Sequence, residues 1–150
     1  MFKLVGMGGC FDHLHEGHKY LINTALKVSE KLVIGLTTDK MNQKKKYKEE
    51  IQDYPTRKQN IENFVQSFTE LSRLEIIELN DPYGSPIEDE DYEALVFSLE
   101  TLPNAIKINE IREEKGMKPL IFIIISLLKD KNGKKISSTN IRKKKLSKNK

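Results

Sequence analysis

The chain alternates between short apolar runs and longer stretches with one apolar side. Phe2 to Met7 has the run of apolar residues expected of a buried strand. His15 to Ser29 places Tyr20, Leu21, Ala25 and Val28 on one side of a helix. Lys31 to Leu36 predicts a second strand and Pro55 to Phe68 a second helix. Leu74 to Leu79 and Ala94 to Leu99 read as strands three and four. Thr101 to Lys115 is helical and stops at Gly116, and Leu120 to Leu127 is an apolar fifth strand. Thr139 to Leu146 predicts a closing helix. Strands that alternate with helices imply right-handed crossovers and a parallel sheet covered on both faces. The expected fold is therefore α/β, a doubly wound five-stranded parallel sheet. Ligands in such sheets bind beyond the carboxyl ends of the strands. Attention thus falls on the loops after strands one, two, four and five. Lys40 to Asp53 and Asn80 to Asp91 predict longer loops, the first of them mobile.

Composition narrows the class. A chain of 150 residues suits one domain and is too short for two ordinary ones. Residues 1–146 are expected to form that domain and residues 147–150 a basic tail. Cys10 is the only cysteine, so no intramolecular disulfide or four-cysteine zinc site can form. Pro119 to Leu128 is the longest apolar run, well short of the ~18 residues a membrane helix needs. The sequence passes from Met1 straight into a strand, and a reducing cytoplasm is the expected home. From Lys129 to Lys150 there are ten Lys/Arg and one Asp, so this end carries +9 within a net charge of +4. Such a bias suits a phosphorylated ligand, nucleic acid or an anionic membrane, or else marks a solvated tail.

The most specific pattern is Gly8-Gly9-Cys10-Phe11-Asp12-His13-Leu14-His15-Glu16-Gly17-His18, between strand one and the first helix. The two glycines are expected to let the backbone turn sharply and approach a ligand. His15 and His18 are spaced to project from one face of the helix's first turn. Free amides at a helix start add positive potential for a phosphate. A zinc reading is weaker, because only His13 or Cys10 offers a third ligand, and no metal site is expected on the protein. The second pattern is Gly133-Lys134-Lys135-Ile136-Ser137-Ser138-Thr139-Asn140-Ile141-Arg142, between strand five and the last helix. Alone, Ser-Ser-Thr before a helix is a common N-cap. With hydroxyls, amides and cations together it suits the outer phosphates of a nucleotide.

The pair of patterns resembles the nucleotidylyltransferase superfamily, and within it the archaeal and eukaryotic phosphopantetheine adenylyltransferase family. Ile34 to Asp39, Tyr54 to Arg57, Asp81 to Gly84, Glu100 to Pro103 and Ile108 to Arg112 are also similar to that family. The resemblance runs from about Val5 to Arg142 and implies a Rossmann-like nucleotidyltransferase fold. It further implies conversion of ATP and 4′-phosphopantetheine, with Mg²⁺, to dephospho-coenzyme A and pyrophosphate, and no nucleic-acid or membrane partner. By that resemblance the catalytic residues are His18, His15 and Lys44, with Lys45 and Lys46 competing for the lysine's place. ATP would be held by Gly8, Gly9, Cys10, Phe11, His15, Gly17, His18, Glu100, Asn109, Ser137, Ser138 and Thr139. The acceptor would meet Cys10, Thr37, Lys44, Asp81 and Tyr83. Arg57 is either part of the site or a helix-surface residue. The family usually carries Thr or Ser where this chain has Cys10, whose thiol is a weak donor. Cys10 is either a direct ligand or a small residue packing behind the loop. Other acceptors, such as nicotinamide mononucleotide, flavin mononucleotide or glycerol phosphate, define the nearest rival activity. A non-catalytic RNA-binding module is a further alternative, weakened because no aromatic ladder interleaves the lysines.

Overall fold

A computed structural model describes residues 1–45 and 48–126 of the chain. The strands are β1 (Phe2–Gly9), β2 (Ser29–Thr37), β3 (Leu74–Leu79), β4 (Ala94–Ser98) and β5 (Ile121–Ile125). The helices are α1 (Glu16–Val28), α2 (Tyr54–Gln66) and α3 (Leu102–Glu114). All strands are parallel, in the order β3-β2-β1-β4-β5, so the strand order reverses between β1 and β4. The predicted α/β class and doubly wound parallel sheet are what the chain adopts. The predicted closing helix and the end of the fifth strand, at Leu127, lie outside the described residues.

Two apolar layers sandwich the sheet. On one face Val5, Met7, Leu32, Ile34 and Leu36 pack with Leu21, Ile22 and Ala25 of α1 and with Ile61 and Val65 of α2. On the other, Val33, Leu95 and Phe97 pack with Ala105 and Ile108 of α3, Tyr92 and Leu120. Alternate residues along each strand feed opposite faces, as the pleat requires. The helix starts are specified locally. Asp53 caps α2 by accepting from the Thr56 amide at 2.9 Å, and Pro55 sits in the first turn, where its missing N–H costs nothing.

One expectation is corrected. Gly8 and Gly9 do not make the sharp turn after strand one. They continue β1 and pair with Gly35 and Leu36. The reversal falls on Phe11 and His13, non-glycine residues with φ of 50° and 47°. That region is unfavourable for L side chains and must be held by outside contacts. The segment Lys40 to Asp53, expected as a loop, carries local structure. It contains short 3-10 helices at Met41–Lys44 and Lys48–Glu50, and its end is tied to the turn after β1.

Candidate active site

The site begins with an unusual cap. His15, in extended backbone, is the N-cap of α1, and its Nδ1 accepts from the Gly17 amide at 3.1 Å and the His18 amide at 3.4 Å. In return His18 Nδ1 accepts from the His15 amide at 3.4 Å, closing a reciprocal capping box made of two imidazoles. The rings stack with centroids 3.7 Å apart and planes 18° from parallel. Phe11 closes over His18 at 5.3 Å between ring centroids.

This geometry fixes the chemistry of both rings. An Nδ1 that accepts from an amide carries a lone pair, so in the neutral ring the hydrogen sits on Nε2. Both imidazoles therefore present Nε2–H as a donor. Nε2 of His15 is buried and has no hydrogen-bond partner among the described residues. A buried donor without an acceptor costs about 1–3 kcal/mol, and a ligand oxygen would relieve it. Burial, and secondarily the neighbouring His15, lowers the His18 pKa from 6.5 to about 3. Burial lowers His15 as well, with Glu16 opposing. The site thus holds two neutral imidazoles at physiological pH.

A stability profile tests this state. The unfolded chain protonates His18 near pH 6.5 and the folded protein only near pH 3, so the unfolded state binds more protons between them. This source of stability is complete above pH 6.5 and is lost as pH falls toward 3. Denaturation midpoints at about pH 7.5 and about pH 4.5 should differ more for the wild type than for His18→Asn. Equal differences would mean that His18 is not buried in neutral form.

The left-handed turn is held from one side by the segment that leads into α2. Buried Asp12 accepts from the Gln52 amide at 2.8 Å, and Gln52 Oε1 accepts from the His13 amide at 2.9 Å. His13 Nε2 lies 2.9 Å from the Glu50 carbonyl and 3.6 Å from Asp12. His13 is therefore part of the scaffold of the turn. Arg57 is not a helix-surface residue. It is fully buried and donates to the carbonyls of Gln52 (2.8 Å) and Cys10 (3.0 Å), to Thr37 Oγ1 (3.3 Å) and to Asp39 (3.0 Å). Cys10 is partly exposed, with Sγ 4.0 Å from the guanidinium.

Beside this cluster, at the strand-order reversal, a cavity of about 230 Å³ runs along the sheet beneath α3 and the loop after β3. Gly6, Gly8 and Gly35 form a floor without side chains, and Val33, Leu79, Leu95 and Ile108 make the walls apolar. Thr37, Met41 and Tyr83 also line it. Asp81 shapes the loop, accepting from the amides of Tyr83 and Gly84, both at 2.8 Å. Gly84 has φ 66°, and a Cβ there would lie 2.8 Å from Leu79. A hydroxyl pair, Ser85 and Tyr92 at 2.6 Å, is one polar spot among these walls.

The predicted residues Gly8, Gly9, Cys10, Phe11, His15, Gly17, His18 and Thr37 thus gather at the carboxyl ends of β1 and β2. The backbone of Lys44 ends the 3-10 helix that follows β2. Glu100 is exposed in the turn Leu99–Thr101 after β4. The Asn109 amide is committed to structure, donating to the Leu120 carbonyl at 3.1 Å and accepting from the Leu120 amide at 2.7 Å. Ser137, Ser138, Thr139 and the surrounding cations lie outside the described residues. Sequence reasoning missed Gly6 and Gly35 of the cavity floor and the contacts of Gln52 and Arg57. Gly6 and Gly8 alternate along one strand, a legible sign of one bare face. Among the described residues no group of three or more His, Cys, Asp or Glu is placed to hold a metal, and no helix is long and apolar enough to cross a membrane.

Comparison with known proteins gives the class and then the family. The sequence model of the cytidylyltransferase-like family matches residues 7–144. The phosphopantetheine adenylyltransferase of Methanopyrus kandleri is 38% identical over 94% of this chain and 89% of its own. A crystal structure of an Archaeoglobus fulgidus protein of unknown function superposes with a TM-score of 0.73 at 33% identity, covering 83% of this chain and 98% of that one. The bifunctional NMN adenylyltransferase/ADP ribose pyrophosphatase of Francisella tularensis, complexed with AMP and a manganese ion, shares the fold alone. Its TM-score is 0.63 at 19% identity, over 96% of this chain and 41% of that one. The protein is a nucleotidyltransferase of the cytidylyltransferase-like family. Within that family it belongs to the phosphopantetheine adenylyltransferases.

Proposed function

We propose that the protein transfers the adenylyl group of ATP to 4′-phosphopantetheine, forming dephospho-coenzyme A and pyrophosphate. The observation that carries this reading is the stacked His15–His18 pair, two Nε2–H donors at a helix start beside a narrow apolar cavity. A phosphate oxygen of the acceptor attacks the α-phosphorus, and the bond from that phosphorus to the bridging oxygen of pyrophosphate breaks. The attacking phosphate is already anionic, so the reaction needs alignment and charge stabilisation more than a strong base. His18 donates to the α-phosphate as charge builds in the transition state, and His15 holds the neighbouring phosphates. Lys44, or its neighbour Lys45 or Lys46, neutralises charge from the loop after β2. Ser137, Ser138 and Thr139 take the leaving pyrophosphate. The pantetheine arm lies in the cavity, whose length along β1 from Gly9 to Gly6 is about 10 Å. Mg²⁺ accompanies ATP on its phosphates, as this ion commonly does.

The purified protein with ATP and Mg²⁺ should release pyrophosphate when 4′-phosphopantetheine is supplied and not with other phosphorylated acceptors. Equal turnover with nicotinamide mononucleotide, flavin mononucleotide or glycerol phosphate would overturn the choice of acceptor. RNA binding without turnover of any acceptor would overturn the reaction.

A further inference from the structure

Arg57 and Arg112 are the two fully buried arginines among the described residues, and the cap of α2 is made by Asp53 and not by Arg57. Its carboxylate partner, Asp39, is itself 54% exposed, so the ion pair gives little reason to bury the cation. What the guanidinium does is tie three segments together at the carboxyl end of the sheet. Nη1 reaches both the carbonyl of Cys10, after β1, and the hydroxyl of Thr37, at the end of β2.

Both contacts have a directional consequence. A guanidinium stays protonated and only donates. Thr37 Oγ1 is therefore the acceptor in this pair, and its own hydrogen is left to be donated elsewhere. Thr37 is buried and lines the cavity. The second contact fixes a peptide plane. In a trans peptide the carbonyl and the following N–H point in opposite directions. Anchoring the Cys10 carbonyl on Arg57 therefore turns the Phe11 amide away from α2, and this happens where Phe11 has a left-handed φ.

We infer that Arg57 is a positioning residue: through the Thr37 hydroxyl and the Cys10–Phe11 peptide it sets the polarity of the donors that meet the acceptor's phosphate. The role rests on the acceptor reading above and deepens it. Lysine keeps the charge but lacks the planar fork that spans Gln52, Cys10, Thr37 and Asp39, so it cannot set these donors.

The test is a cycle of wild type, Arg57→Lys, Thr37→Val and the double variant, with Thr37→Ser as rescue. Turnover, the KM for each substrate and the melting temperature are measured for all five. Each single change should raise the acceptor KM at least about tenfold while the ATP KM stays within about threefold. The double variant should be no worse than the poorer single, because Arg57 acts through Thr37. Thr37→Ser should recover most of the loss. Additive losses, or a fall in melting temperature with normal acceptor constants, would make Arg57 a structural residue only. If Arg57→Lys does not fold, Arg57→Gln takes its place in the cycle: an acceptor-specific loss that is not additive with Thr37→Val upholds the inference, and a silent Thr37→Val overturns it. A wild type inactive on 4′-phosphopantetheine fails the acceptor reading instead. The cycle is then run with the phosphorylated acceptor the wild type does use.

Discussion

Replacing His18 with alanine should lower turnover by at least about a hundredfold, near 3 kcal/mol, the size of one lost charge-stabilising donor. ATP binding should change by less than about tenfold, since other donors still hold the outer phosphates. The expectation follows from the burial and hydrogen bonding of the ring. His18 is held neutral, and its Nδ1 accepts from the His15 amide, which places the ring hydrogen on Nε2. A donor matched to the charge that builds during transfer raises turnover, whereas one that grips both states equally changes only affinity. His15→Ala should weaken ATP binding more than His18→Ala does. It also removes the cap of α1, at a cost of about 1 kcal/mol. His15→Asn separates these roles, because asparagine caps well but lacks the Nε2–H. Its melting temperature should stay near that of the wild type while ATP binding falls. If His18→Ala lost ATP binding but reacted normally once saturated, His18 would be a binding residue.

Much of this was legible in the sequence for a physical reason. The strands are apolar runs bounded by polar turns, and a parallel sheet covered on both faces leaves little freedom in topology. The His15–Gly17–His18 spacing could be read because contacts within one helical turn depend on local geometry alone. The turn after β1 could not be read so directly. Gly8 and Gly9 invite the assignment of a turn, yet they pair in the sheet while Phe11 and His13 take the left-handed angles. Those angles persist because Asp12, Gln52 and Arg57 hold the turn from across the chain. Contacts some forty residues apart leave no periodic trace. Arg57 shows the same limit, since a charged residue in the first turn of a helix ordinarily faces water. Asn109 illustrates the converse. The resemblance pointed to the nucleotide, but the amide is engaged with both polar groups of the Leu120 backbone.

The cavity makes the second large prediction. Gly35 lies on its floor, opposite Gly8 in the neighbouring strand. A Cβ at Gly35 would stand 3.3 Å from Leu79 Cδ1, so a methyl group already presses on the wall. The branched methyls of valine would project further, into space proposed for the acceptor arm. Gly35→Val should therefore raise the acceptor KM at least about tenfold, or 1.4 kcal/mol, and Gly35→Ala should fall between it and the wild type. The ATP KM should stay within about threefold, because Gly35 stands outside the turn that carries the histidine pair. Valine suits a central strand, which favours retention of the fold despite the shift demanded of Leu79. Circular dichroism and melting temperature check that retention directly. A folded Gly35→Val enzyme with unchanged acceptor constants would mean that the arm binds elsewhere. Loss of affinity for both substrates together would instead mean that the valine had displaced β1 and the histidine turn with it.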